Sequence, residues 1–308
     1  MLLDPRLAVL AAATLWGTTG TARALGPDDA SPTAVGAARL VVGGACLVLV
    51  GWRQGWLSAP VRPDWSDRPW GHGAATPAFL VAVGAMAAYQ PLFFGGVART
   101  GVAVGTMVGI GSSPVFAGLL GMVVRGERPG GRWVAATALA VAGTLLLVGA
   151  GDRDDVDPTG LALALGAGLA YAIYVLATKL LLDGGSAPDA LTARIFGCAG
   201  LLLLPVALAA GIGPLLSAGG LLMIGHLGIV TVAVAYVLFT RGLTGVGVAA
   251  AGTLTLAEPA TATLCGIAIL GERPGGAALA GLALVAAGLV LLVANGRRRR
   301  VAVGSPGS

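Results

Sequence analysis

The hexapeptide GERPGG occurs twice in this 308-residue chain, at residues 126–131 and again at residues 271–276. The same offset of 145 residues carries Pro114 onto Pro259, so the match extends well beyond the hexapeptide. Further towards the N-terminus the offset grows to 156. Six identical residues in a row, with flanks in the same order, indicate that the chain contains two copies of one structural unit.

Few residues of the chain are charged. Asp, Glu, Lys and Arg make up 11% of the sequence and hydrophobic residues 56%, with a mean hydropathy of +0.88. A soluble domain carries about 25% charged residues, so a water-facing surface cannot be built from this composition. We predict an all-α integral membrane protein. A soluble enzyme, a disordered chain, a disulfide scaffold and, despite a pI of 9.6, a nucleic-acid-binding protein are excluded.

Ten hydrophobic runs are long enough to cross a bilayer, whose hydrocarbon core needs about 20 residues of helix. Helices are expected because a backbone in lipid must satisfy its own hydrogen bonds. We therefore predict ten transmembrane helices, which lie at residues 7–25, 33–51, 74–95, 102–124, 133–149, 161–182, 190–209, 220–240, 246–270 and 277–293. The first run also resembles a signal peptide, but its removal would leave its counterpart in the second copy unmatched. We expect it to be retained.

The positions of the basic residues predict the orientation of the chain. If both termini lie in the cytoplasm (N-in and C-in), 13 of the 19 Lys and Arg residues fall in cytoplasmic loops or tails and 4 fall outside. This bias follows the positive-inside rule. We expect a multi-pass protein of the inner (plasma) membrane, with residues 296–308 as a basic cytoplasmic tail.

Each copy contains five predicted spans, one copy in residues 5–150 and the other in residues 158–295. Because five is odd, the second copy must enter the membrane upside down relative to the first. The chain is thus predicted to be two inverted five-helix repeats. Many secondary transporters use inverted repeats for alternating access, although a duplicated scaffold without transport activity has the same pattern.

Short motifs spread over nearly the whole chain resemble those of an EamA-type transporter of the drug/metabolite transporter (DMT) superfamily. They are Trp16-Gly17, Pro32 followed by Arg39, Tyr89, Pro114 followed by Gly126-Glu127, and Glu258-Pro259 followed by Gly271-Glu272. The resemblance implies ten helices in two halves and a carrier for small organic solutes, often an exporter of amino acids, other metabolites or drugs. One departure is Ala172, flanked by Tyr171 and Tyr174, where the first copy has Trp-Gly.

Glu258 is the candidate residue for proton coupling. It lies 12 residues from each end of its predicted span, and a carboxylate near the bilayer midplane is costly enough to be a functional hypothesis by default. Glu258 could take up a coupling proton or bind a substrate amine; alternatively it is a protonated or Arg-paired structural residue. Pro259 and its counterpart Pro114 cannot donate to a helix ladder, so both are predicted to break their helices.

Arg39 and Arg194 are predicted to lie within spans. Arg39 lies seven residues after Pro32, and Arg194 lies six residues after the repeat-related Pro188. Either guanidinium could bind a substrate carboxylate. The alternative is that each snorkels towards the interface or ties two helices together.

Aromatic and amide side chains within spans are candidates for the wall of a solute pocket. They are Trp16, Tyr89, Gln90, Tyr171, Tyr174 and Tyr236. Amphipathic rings with a polar group suit a solute that has apolar and polar ends. Simple packing of the rings between helices is the alternative.

The favoured hypothesis is a secondary active transporter, an exporter of small organic solutes by alternating access, coupled to protons through Glu258. A membrane-embedded enzyme, a passive channel and a scaffold subunit are the alternatives. Two histidines and a single lysine without a Gly-rich loop offer neither a metal site nor an ATP-binding P-loop, so no cofactor, metal or catalytic residue is predicted. The expected partners are the lipid bilayer, a small-molecule solute and protons, with no nucleic acid; the chain is expected to be a monomer or a homodimer.

Overall fold

The computed structural model describes residues 3–58, 75–148, 157–273 and 275–293, and within these ranges it contains helices and turns but no strand. The all-helical prediction is confirmed for this part of the chain. Pro274 of the second hexapeptide, residues 149–150 and 294–295 at the ends of the two predicted copies, and the predicted tail at 296–308 lie outside the described residues.

The first half contains five α-helices, which are α1 (Pro5–Gly17), α2 (Thr19–Ala24), α3 (Pro32–Arg53), α4 (Ala75–Arg125) and α5 (Gly131–Val148). Proline occupies the first helical position of both α1 and α3, where its missing N–H costs nothing. Ser31 caps α3, because its hydroxyl accepts a hydrogen bond from the Ala34 amide at 3.1 Å. In α4, Gly101 has a φ of 80° and a ψ of 161° and joins two helical parts at a kink.

The second half contains α6 (Pro158–Asp183), α7 (Pro188–Ala209), α8 (Ala218–Gly225), α9 (Ala235–Leu243), α10 (Val248–Leu254), α11 (Ala257–Leu270) and α12 (Gly276–Val293). A π-helical stretch, His226–Val234, connects α8 to α9 without a break. Asp157 caps α6, and the hydrogen bond from the Thr159 amide to its carboxyl lowers the pKa of Asp157.

Eight helical stretches of the described residues are long and apolar enough to cross a membrane. They are Pro32–Arg53, Thr76–Gly101, Val104–Arg125, Pro158–Asp183, Pro188–Ala209, Ala218–Leu243, Val248–Leu270 and Gly276–Val293. Helices also lie in the two other predicted runs, as the pair α1 and α2 and as the shorter apolar helix Gly131–Leu146. The chain is a multi-pass membrane protein; ten crossings and the side of each terminus stay predictions.

The contacts between α3 and α7 recur with the two halves exchanged. A Cβ on Gly44 would overlap the Phe196 carbonyl oxygen, and a Cβ on Gly200 would lie 2.8 Å from the Leu40 carbonyl oxygen. The offset of 156 carries Gly44 onto Gly200 and Leu40 onto Phe196. The contact of Gly44 with Phe196 is therefore repeated by that of Gly200 with Leu40. A pseudo-two-fold axis between the halves requires this reciprocity.

The contacts between α5 and α12 follow the same rule at the other offset. A Cβ on Gly143 would lie 2.6 Å from the Gly281 carbonyl oxygen, and a Cβ on Gly288 would lie 2.6 Å from the Ala136 carbonyl oxygen. The offset of 145 carries Gly143 onto Gly288 and Ala136 onto Gly281. Because glycine has no side chain, the backbones of both helix pairs come into direct contact, which is a common way of packing helices in membranes.

Candidate functional site

Three helices bring the tyrosines of the chain together, and a fourth adds a tryptophan. All four tyrosines, with Trp16 of α1, form one cluster: Tyr89 comes from α4, Tyr171 and Tyr174 from α6, and Tyr236 from α9. The ring centroids of Trp16 and Tyr236 lie 4.8 Å apart, and those of Tyr89 and Tyr171 lie 6.0 Å apart. Because α1 and α4 belong to the first half and α6 and α9 to the second, both halves build this aromatic cluster.

Two phenylalanines of the second half, Phe196 and Phe239, join the cluster. The Phe196 ring lies 4.2 Å from that of Tyr236, and the Phe239 ring lies 5.4 Å from that of Trp16. The sequence analysis did not name either of them, because a phenylalanine within a span carries no polar group to distinguish it from lipid-facing or core residues. The three-residue spacing of Tyr236 and Phe239, which places them on one helix face, was the available signal.

Several polar atoms in the aromatic cluster are buried without a hydrogen-bond partner among the described residues. They are the Trp16 Nε1, Gln90 Nε2 and Tyr171 Oη atoms. Gln90 is only 2% exposed. A buried polar group without a partner costs about 1–3 kcal/mol, so this cluster offers hydrogen bonds that a bound solute or water can complete. The Tyr174 hydroxyl differs, because it lies beside the hydroxyls of Thr178 and Thr240, without well-formed hydrogen-bond geometry.

Arg39 and Glu258 bring opposite charges to the same cluster. Both are half-buried, and the Arg39 Nη2 atom donates a long hydrogen bond of 3.4 Å to the Gln90 Oε1 atom. The two charges attract each other, yet they form no direct ion pair among the described residues. Glu258 also interacts electrostatically with Tyr89 and Tyr171. The carboxylate and the guanidinium therefore lie close enough to interact with the same tyrosines without pairing directly.

A break in the helix positions Glu258. Thr255 and Leu256 separate α10 from α11, and Glu258 lies in the first turn of α11. The Glu258 amide donates to the Thr255 carbonyl at 3.0 Å, three residues back instead of four. Interrupted helices of this kind line binding sites near the midplane of many transporters.

The two repeat-related prolines differ in their effect. Pro259 follows the break between α10 and α11, whereas α4 remains helical through Pro114. A proline removes one donor and crowds the preceding turn, but its φ is compatible with a helix. The hydroxyl of Ser113, next to Pro114, donates to the Gly109 carbonyl at 2.9 Å, and the helix continues there.

Gly17 allows α1 to lie against α11 beside Glu258. A Cβ at this position would lie 2.5 Å from the Thr261 Cβ and 2.7 Å from the Glu258 carbonyl oxygen. The motif Trp16-Gly17 therefore combines a ring that faces the aromatic cluster with a bare backbone that faces α11.

Arg194 contacts the segment that follows α3. Its Nη2 atom donates to the Leu57 carbonyl at 2.7 Å, in the short 3₁₀ turn that follows α3. The structure thus places Arg194 as a tie between α7 and the end of α3, while Arg39 lies with Gln90. In the described ranges, no group of three or more His, Cys, Asp or Glu residues could hold a metal ion.

Known proteins resemble this chain in sequence and in fold. The profile of the EamA-like transporter family matches residues 6–149 and, a second time, residues 158–294. The protein "Uncharacterized transporter YwfM" of Bacillus subtilis (strain 168) is 40% identical over 296 residues, which are 96% of this chain and 96% of that protein. A solved crystal structure of another protein matches with a TM-score of 0.79 and 21% identity, over 96% of this chain and 98% of that one. At that identity the likeness concerns the fold alone.

Proposed function

The chain belongs to the EamA-like transporter family, so it is a membrane transporter of the drug/metabolite type, and we propose that it exports a small organic solute by alternating access. The observation that carries this proposal is the aromatic cluster, in which both halves contribute rings around Arg39 and Glu258. A site built by two halves opens to either side when the halves rock against each other.

The chemistry of the cluster favours a solute with an apolar body and polar ends. The seven rings of the cluster supply an apolar wall, and the free donors of Trp16 and Gln90 supply hydrogen bonds. The separate charges of Arg39 and Glu258 can each pair with an opposite charge on the solute or, for Glu258, with a coupling proton.

Proton coupling through Glu258 is the mechanistic part of the proposal. In one state of the transport cycle the deprotonated side chain of Glu258 is exposed to a bound solute or to water. In the other state the side chain is protonated and carries the proton back. Support comes from the position of Glu258, which is half-buried at the α10–α11 break and interacts with Tyr89 and Tyr171 of the aromatic cluster.

The test starts with a growth screen, because the solute has yet to be identified. Cells that express the protein and cells with an empty vector are compared on a panel of toxic amino-acid analogues, metabolites and drugs. A compound that expressing cells tolerate better is then followed as labelled solute in proteoliposomes with an imposed proton gradient. We expect gradient-driven flux that saturates and that exchanges labelled for unlabelled solute; flux without saturation or exchange would indicate a channel.

The Glu258→Gln variant tests the coupling. We expect solute exchange to continue and gradient-driven accumulation to be lost, because glutamine cannot carry a proton. The matched control is Asp189→Asn, which removes a carboxylate from the exposed ion pair with Arg241, whose Oδ2 to Nη2 distance is 2.7 Å. Unchanged accumulation in Glu258→Gln would exclude Glu258 from coupling.

A further inference from the structure

The two copies of GERPGG have the same backbone geometry. Gly126 and Gly271 have φ values of 63° and 70°, in the left-handed region. The next residue in each copy is a glutamate whose amide donates back to the preceding helix, from Glu127 to the Gly121 carbonyl at 3.0 Å and from Glu272 to the Gly266 carbonyl at 3.1 Å. The two backbones therefore agree in detail, and the surroundings of the two glutamate side chains can be compared directly.

The Glu127 side chain of the first half is bound to the second half. Its Oε1 atom accepts a hydrogen bond from the Val248 amide at 3.1 Å, and its Oε2 atom accepts one from the Ala249 amide at 3.3 Å. The Arg125 Nε atom also donates to Glu127, at 3.0 Å. With 19% of the side chain exposed, Glu127 holds the start of α10, the segment that leads to the break before Glu258.

Further contacts close the same end of the molecule. Arg125 forms an ion pair with Asp183 of α6 at 2.6 Å, and Lys179 forms one with the same carboxylate at 3.1 Å. The Trp133 indole N–H of α5 donates to the Ala249 carbonyl at 3.0 Å. We call the region of Glu127, Arg125, Lys179, Asp183 and Ala249 the Glu127 end. At this end, polar contacts join the first half to the second.

The glutamate of the second copy stands in different surroundings. Glu272 is exposed. The offset of 145 carries the partners of Glu127 onto Ala103 and Val104, at the start of the second part of α4. The charged neighbour Arg125 corresponds to Leu270, and Asp183 corresponds at the offset of 156 to Pro27. At this opposite end, which we call the Glu272 end, the sequence keeps the glutamate but replaces the residues of these ion pairs, and the ion pair found there is the exposed Arg99–Asp157, at 3.2 Å.

We infer that Glu127 and Glu272 are alternating latches: each accepts hydrogen bonds from backbone amides of the opposite half when its own end is closed, and releases them when that end opens. The inference rests on the proposed transport cycle. The structure is the state in which the Glu127 end is latched and Glu272 is released. Each glutamate is a positioning residue, because it fixes the helix of the opposite half and has no contact with the aromatic cluster among the described residues.

The test measures the spacing of the halves at both ends by electron spin resonance between pairs of spin labels. At the Glu127 end the labels are placed at Arg128→Cys and Thr244→Cys, one in each half. At the Glu272 end they are placed at Arg273→Cys and Ala98→Cys, nearly the repeat-related positions. All four residues are exposed, so the labels can be added without disturbing the packing.

The measurement uses the full chain in lipid nanodiscs, without solute, after the three native cysteines have been replaced by alanine. In the protein with Glu127 and Glu272 unchanged, we expect a short distance between the two labels at the Glu127 end and a long distance between those at the Glu272 end. Glu127→Gln should shift the ratio of the two populations by about tenfold towards an open Glu127 end and a closed Glu272 end, because hydrogen bonds to a charged acceptor are lost.

Glu272→Gln is the matched variant and should shift the populations in the opposite direction. A Glu127→Gln distribution like that of the parent, or shifts of both variants in the same direction, would overturn the inference. If Glu127→Gln fails to fold, Glu272→Gln alone decides, because its exposed side chain can be changed without loss of packing; no shift in that variant also overturns the inference. The spacings are measured without transport, so absent solute flux with opposite shifts would refute the proposed export and leave the latches standing.

Discussion

Glycine 17 is the residue at which packing and the candidate site meet. Its missing side chain lets the α1 backbone approach the Glu258 carbonyl of α11, and the preceding Trp16 then contacts Tyr236 with a centroid distance of 4.8 Å. A transporter that moves these helices needs the contact to be close yet free of interlocking side chains. Glycine supplies both properties at once.

A single methyl group at this position tests that role. In Gly17→Ala the new Cβ would lie 2.5 Å from the Thr261 Cβ and 2.7 Å from a backbone oxygen, so α1 and α11 must separate. We expect a loss of about 1–3 kcal/mol of stability, as in other overpacked cores, seen as a lower midpoint of thermal unfolding in detergent. Gly20→Ala is the control, because a Cβ there meets nothing within 4 Å. Equal midpoints for the two variants would contradict the close α1–α11 contact.

Residue types in the sequence predicted part of the candidate site. Trp16, Tyr89, Gln90 and Tyr236 stood out because polar groups within a span are rare, and the structure brings them together. Phe196 was missed because its place depends on how α7 packs against α9, which hydrophobic periodicity within one helix does not determine.

At the scale of elements, α10 and α11 together form one membrane-spanning stretch with an interruption in it. Proline predicted this break, but the same signal also predicted a break at Pro114, where α4 continues. Pro259 lies in the first turn of α11, where the backbone amides have no partner within the helix in any case. Pro114 lies within the continuous second part of α4. The local sequence predicts where the helical hydrogen bonding is weakened, and the tertiary contacts decide whether the helix is interrupted there.

The two prolines are therefore expected to respond differently to replacement by alanine. Pro114→Ala should raise the midpoint of thermal unfolding, since a proline inside a helix costs about 3 kcal/mol, and should leave solute exchange near its original rate. Pro259→Ala restores a donor beside the break, favours one continuous helix and should slow exchange, with a smaller gain in stability. The initial rate of counterflow in proteoliposomes measures solute exchange, and thermal unfolding in detergent measures stability. Faster exchange in Pro259→Ala than in Pro114→Ala would contradict a functional break.

At the scale of the whole molecule, polar contacts join residues that the charge bias assigns to the same side of the membrane. The pair Arg99–Asp157, at 3.2 Å, joins two residues predicted to be outside. The pair Arg241–Asp189, at 2.7 Å, joins two residues predicted to be inside. Arg6, predicted to be inside, donates to the carbonyls at the C-terminal end of α12. The sequence could predict this sidedness because loop charges record orientation, while the pseudo-two-fold contacts between the halves needed the packed helices.

Labelling of single cysteines tests the predicted orientation. In a variant whose three native cysteines are replaced by alanine, Ser217→Cys should lie outside and Thr244→Cys inside; both parent residues are exposed, and they flank the stretch Ala218–Leu243 at its two ends. A membrane-impermeant maleimide added to intact cells should label Ser217→Cys and reach Thr244→Cys only after permeabilisation. The opposite pattern would place the Glu127 end outside and contradict the predicted orientation. Labelling of both sites in intact cells would mean that Ala218–Leu243 does not cross the membrane, although this mostly apolar helical stretch of 26 residues exceeds the roughly 20 that a crossing requires.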